Sequence, residues 1–127
     1  MSDEADILQL LNRLEFLLDR GDPEACAECF AEDGRLVSAN HNALGRRDIA
    51  QNLESMHRSG FFKAKSHFLG PSAIDVAGTS ATAQTKWWIA DIVRKPSIWA
   101  TGRYFDRLAK IDGKWKVTER HHLPDQA

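Results

Sequence analysis

The stretch SIWATGRYFDRLAKIDGKWKVTERHHLPDQA (Ser97–Ala127), with KWWIADIV (Lys86–Val93) just before it, decides the fold. Asp112-Gly113 is a strong short hairpin signal, because both residues tolerate the positive φ of a tight turn. It joins a run from Ile98 to Ile111 to a run from Lys114 to His122, and with the preceding strand these predict an antiparallel meander. Over residues 81–93 one face reads Ala81, Ala83, Thr85, Trp87, Ile89, Asp91, Val93. That face is the more apolar, yet it carries a carboxylate. An acid on a buried strand face needs a partner or a function, which suggests a sheet wrapped around a pocket.

Working toward the N-terminus, residues 63–77 and 80–94 read as further strands, broken at Ala77-Gly78-Thr79 and at Lys95-Pro96-Ser97. Pro71 implies a bulge or an edge position, since it cannot donate to a ladder. Residues 3–20 read as a helix, with Ile7, Leu10, Leu11, Leu14, Leu17 and Leu18 recurring at helical spacing. Gly21 stops it. Asp22-Pro23 restarts a second helix, as N-cap and first helical residue, ending near Phe30–Ala31. Residues 35–39 predict a short strand and Asn40–Leu44 a polar loop. A third helix follows Gly45, with Ile49, Leu53 and Met56 on one face, and closes at Ser59-Gly60. Helices first and strands afterwards is the α+β pattern. The expectation is a curved, cone-shaped antiparallel sheet packed on three N-terminal helices, which cover its concave side without filling it. The leftover volume would hold a ligand.

At 127 residues, residues 1–127 read as a single domain with one core. A net charge of −1 with no basic run offers no pull toward nucleic acid or anionic membrane. The acidic, amphipathic beginning is not a signal peptide and no apolar run reaches membrane-spanning length, so a cytoplasmic location is expected. Cys26 and Cys29 form a C-x-x-C inside a predicted helix, away from the helix N-terminus that would stabilise a thiolate. Two small buried hydrophobes are the expectation. The five histidines show no metal spacing, and no glycine-rich phosphate loop follows a strand. Neither metal nor cofactor is expected.

The segments LLDRGDPEACAECFAEDGRLV (Leu17–Val37), GRRDI (Gly45–Ile49) and GRYFDRLAKIDGKWKVTER (Gly102–Arg120) together resemble the SnoaL-like branch of the nuclear transport factor two-like superfamily. The resemblance implies a cone around a deep pocket and a homodimer through the outer sheet face. It does not settle function, because the same cone hosts many chemistries. Steroid isomerases of the superfamily need a tyrosine and an acid where this chain resembles them at Leu14 and Ser38, which argues against that activity. The site pattern is closer to scytalone dehydratase-like and bile-acid dehydratase-like enzymes. By that resemblance Asp19 and His67 would form an acid–base pair, and Asp91 would match a further acid. Leu18 and Ser38 stand where scytalone dehydratase has tyrosines, and Phe105 where it has an asparagine.

Each residue has a plainer alternative. Asp19 projects away from the centre of the leucine stripe, so a solvated place near the helix end would serve it. His67 could be a satisfied core histidine. Asp91 could pair with Arg103 or Arg120 across the sheet. Tyr104, Trp87, Ser38, Phe105 and Arg120 are the candidate substrate-binding residues, although a strand tyrosine or tryptophan is commonly core. His121 and His122 point to opposite faces, so at most one of them faces the pocket. The expectation is a small cofactor-independent lyase acting on a cyclic hydrophobic molecule by dehydratase-type elimination. The alternative is a non-catalytic ligand-binding or dimerisation module, and a weaker one an auxiliary subunit of a ring-hydroxylating dioxygenase.

Overall fold

The computed structural model describes residues 2–93 and 96–125. Helix α1 spans Asp3–Arg20. The Ser2 side chain accepts from the Ala5 N–H at its start, a cap worth roughly 0.5–2 kcal/mol. Gly21, at φ 75°, ends it in the left-handed conformation. The buried face carries Ile7, Leu11, Leu14, Leu17 and Leu18. Each such side chain contributes about 1.5–3 kcal/mol when fully buried. Asp22 caps the short helix α2, Pro23–Glu28, and Pro23 opens it.

Strand β1 runs Phe30–Ser38, so the chain leaves helix earlier than its local periodicity predicts. Phe30 is paired beside Val117 and is only 2% exposed, and tertiary burial outweighs the helical preference there. Residues read as a polar loop form strand β2, His41–Leu44, which hairpins back on β1. Only Ala43 of these four is buried, so no apolar alternation betrays the strand. Helix α3 spans Gly45–Arg58. The Arg46 Nε–H donates to the Phe30 carbonyl at 2.9 Å, tying α3 to β1.

The long strands are β3, Lys65–Ala77; β4, Ser80–Asp91; β5, Ser97–Ile111; and β6, Lys114–Pro124. They form one six-stranded curved, unclosed sheet in the order β2-β1-β6-β5-β4-β3. It is antiparallel except where β1 runs parallel to β6. Asp112 and Gly113 both have positive φ, 51° and 78°, in the β5–β6 turn. Around Pro71 the ladder shifts register between Leu69 and Ser72, on what is also an edge strand. Arg94 and Lys95, part of the expected strand end and turn before β5, lie outside the described residues, as do the last two of the chain.

The core lies between the helices and the concave sheet face. At the start of α1, Asp3 accepts from both Trp115 Nε1 and Lys110 Nζ at 3.0 Å, fastening the helix to the β5–β6 hairpin. Cys26 and Cys29 are free thiols buried in this core, and burial pushes the Cys26 thiol up to about 12. Trp87 faces the concave side, while Trp88 stacks flat on Phe68 on the outer face, 4.2 Å between ring centroids. No helix of the described residues is long and apolar enough to cross a membrane.

Candidate functional site

Ile7, Leu11, Glu15 and Asp19 form one row of α1 at four-residue spacing, and the row runs along the buried side of the helix. Asp19 ends that row in an exposed position, with its carboxylate turned across to the sheet. Its carboxylate meets the first residues of β3. It accepts the His67 backbone N–H, 3.1 Å from each oxygen, and the Ser66 hydroxyl at 3.3 Å. It also lies 2.7 Å from His67 Nδ1. An ionised carboxylate only accepts, so Nδ1 must donate. The neutral imidazole then carries its lone pair on Nε2. The His67 side chain is 5% exposed and that of Asp19 28%. Phe62 packs edge-on against the imidazole, 5.1 Å between centroids, and holds its plane.

His67 lines a cavity of about 490 Å³ between the sheet and the helices, within the range of small-molecule sites. Phe30, Leu36, Leu53, Met56 and Phe62 supply its apolar wall, with Trp87 and Ile89 on the sheet. Phe61 and Trp99 also line it, their rings meeting edge to face at 5.5 Å. Its polar lining includes Ser38, Tyr104, Arg120 and His122. The Ser38 hydroxyl donates to the His41 carbonyl at 3.1 Å.

A buried charge cluster sits behind this lining. Arg120 is 3% exposed and makes a two-pronged pair with Asp106, Nε to Oδ1 at 2.8 Å and Nη2 to Oδ2 at 3.0 Å. Its third nitrogen lies 3.6 Å from Glu15. The guanidinium covers the Tyr104 ring at 3.8 Å, a cation–π contact. Burial alone would lower the Arg120 pKa, but Asp106 outweighs it and the side chain stays charged. Burial raises the Glu15 carboxyl against the pull of Arg120. Burial first, and then Glu15, hold the Tyr104 phenol well above its ordinary range.

The structure thus brings Ser38, His67, Trp87, Tyr104 and Arg120 to one cavity, with Asp19 behind His67. It does not bring Asp91 or Phe105 there. Asp91 ends β4 beyond the cavity, where it pairs with Lys65 at 3.5 Å and accepts the Val93 N–H. Its partner is thus neither Arg103 nor Arg120. Phe105 alternates with Tyr104 and faces outward, opposite His121. Glu15 and Asp106 were not anticipated. Glu15 follows Leu11 by four and precedes Leu18 by three, a spacing that already sets it on the buried stripe. Asp106 lies between Tyr104 and Leu108 in the strand alternation.

A curved, unclosed sheet with helices over its hollow side defines the nuclear transport factor two-like, or cystatin-like, architecture. Solved structures bear this out. A protein of that fold from Novosphingobium aromaticivorans is 28% identical, covering 98% of this chain and 84% of its own, with a TM-score of 0.88. A second protein from that organism, provisionally named a scytalone dehydratase, is 28% identical over 98% of this chain and 85% of its own, TM-score 0.83. ActVI-ORFA of Streptomyces coelicolor is 26% identical over 99% of this chain and 100% of its own, TM-score 0.88. Comparison with curated proteins gives no significant match. The SnoaL-like domain model matches residues 1–121, and the chain belongs to that family.

Proposed function

We propose that this SnoaL-like protein is a cofactor-independent lyase that eliminates water from a cyclic hydrophobic molecule, with His67 as general base and acid. The observation that carries the reading is the 2.7 Å contact between Asp19 and His67 Nδ1, on a ring that lines an apolar cavity. Nε2 removes a proton from the carbon next to a carbonyl, and the C–H pair moves into an enolate. The enolate pair then forms the ring double bond as the C–O bond to the β-hydroxyl breaks. The imidazolium returns its proton to that oxygen, which leaves as water. Asp19 orients the ring and stabilises its charged form. Tyr104 offers an uncharged phenol, Arg120 a buried positive charge and Ser38 a hydroxyl, while Trp87 supplies a flat wall for a ring. The name of the Novosphingobium aromaticivorans relative agrees with this chemistry.

The reading extends to a cytoplasmic homodimer joined through the outer sheet face, where Phe68 and Trp88 stack. The enzyme would be incubated with a panel of hydroxylated cyclic ketones, and water loss followed by mass spectrometry. Turnover by wild type that disappears in His67→Ala, with an unchanged circular dichroism spectrum, is the expected result. Binding without turnover, unaffected by Asp19→Asn or His67→Ala, would favour a ligand-binding module instead.

A further inference from the structure

We infer that His122 is a second working imidazole of this cavity, a hydrogen-bond donor for the substrate's carbonyl oxygen as negative charge builds there. The inference rests on the elimination reading above. His121 and His122 are adjacent on β6 and face opposite ways. His121 turns outward, its Nε2 2.9 Å from Glu119. His122 lines the cavity, its ring parallel to the Trp87 indole at 5.0 Å and 9°.

The two cavity histidines differ in what their nitrogens do. Nδ1 of His67 is committed to Asp19. No hydrogen bond among the described residues uses either ring nitrogen of His122. A neutral imidazole carries one N–H and one lone pair, so His122 has a donor available. Its surroundings disfavour a charge on it. Burial lowers its pKa, and the Arg120 guanidinium and His67 add to this. The groups facing it from β4 and β5, Trp87 and Tyr104, are uncharged at neutral pH. Glu15 approaches from α1, beyond Arg120, and burial favours its protonated form.

Position supplies the rest. His67 stands on β3 and His122 on β6, with β4 and β5 between them, and both line one cavity. A ring seated between the two histidines, beside Trp87, would put its acidic carbon toward one imidazole and its oxygen toward the other. A donor fixed by stacking in a largely apolar cavity stabilises developing oxyanion charge without reorganising.

The test uses two probes that need no turnover. Dissociation constants of 2-naphthol and naphthalene would be measured by equilibrium dialysis for wild type, His122→Phe and His122→Gln. Wild type should prefer 2-naphthol by about tenfold, the value of one hydrogen bond in an apolar site. His122→Phe keeps a ring on Trp87, so it should abolish the preference while leaving naphthalene affinity within about twofold. His122→Gln, which retains a donor, should keep part of it. A preference that survives His122→Phe overturns the inference, and so does an equal loss of both ligands, which would mark His122 as packing. The elimination reading fails separately: a 2-naphthol preference that depends on His122, in a protein inactive on every ketone, would leave the donor site standing and remove the reaction.

Discussion

The Asp19 carboxylate lies 2.7 Å from His67 Nδ1 while accepting the backbone N–H of the same residue at 3.1 Å. One side chain thus fixes both the position of the strand and the orientation of the ring it carries. In Asp19→Asn the negative charge is lost, and an amide N–H can force the imidazole lone pair onto Nδ1. The rate should fall by roughly 10²–10⁴ with the fold retained. Long-range ¹⁵N–¹H spectra at pH 8 should find Nε2 unprotonated in wild type but not in the variant. An unprotonated Nδ1 in wild type would contradict the geometry.

Arg120 and Asp106 are a buried pair with almost no access to water. Removing one partner leaves the other charge uncompensated, so Arg120→Met should cost about 3–5 kcal/mol in urea unfolding. Arg120→Met with Asp106→Leu should recover much of that loss. Equal destabilisation by the single and double variants would mean that the charges are not coupled.

Glu15 has neither carboxylate oxygen hydrogen-bonded among the described residues. Burial raises its folded-state pKa above the ordinary 4.5, so the folded protein holds this proton more tightly than the unfolded chain. Stability from this group is complete below about pH 4.5 and is lost as pH rises toward the folded-state value. Glu15→Gln removes the titration, so its stability relative to wild type should increase from pH 4 to pH 8. A relative stability that falls over that range would mean that Arg120 holds the carboxylate ionised.

Gly102 stands against the Trp87 indole. A Cβ there would come within 2.7 Å of Trp87 Cε2 and of the Leu123 carbonyl oxygen. Gly102→Ala should displace the indole, cost roughly 1–3 kcal/mol and weaken naphthalene binding. Unchanged affinity would remove Trp87 from the ligand wall.

Cys26, with its thiol pushed up to about 12 by burial, should react with iodoacetamide at pH 8 only on unfolding. Rapid labelling of the native protein would overturn its assignment to the core.

The periodicity of the first helix, the Asp112-Gly113 turn and the long strands were legible because each is a local signal. The end of α2 and strand β2 were not, since pairing with β6 and β1 decides them. In the candidate site, the resemblance pointed to Asp19 and His67, which meet at 2.7 Å, but the strand alternation that singled out Asp91 says only which face a residue takes. It does not say how far along the strand the cavity extends, and Asp91 lies past its end beside Lys65. The histidine question turns on one residue. A hairpin closed on Ile111 and Lys114 without irregularity would set His121 opposite Tyr104. The register shift between Arg107 and Leu108 puts His122 there instead, and brings Arg120 opposite Asp106. No pattern in the sequence announces that bulge.

Exchange in D₂O tests proton abstraction from carbon by His67, held by Asp19, without requiring a leaving group. A cyclic ketone that binds the cavity would be incubated with wild type, His67→Ala and Asp19→Asn, and deuterium next to its carbonyl followed by mass spectrometry. Incorporation by wild type that vanishes in His67→Ala and falls steeply in Asp19→Asn is the predicted result. Incorporation at the same rate in all three, or in none while the ketone is bound, would contradict it.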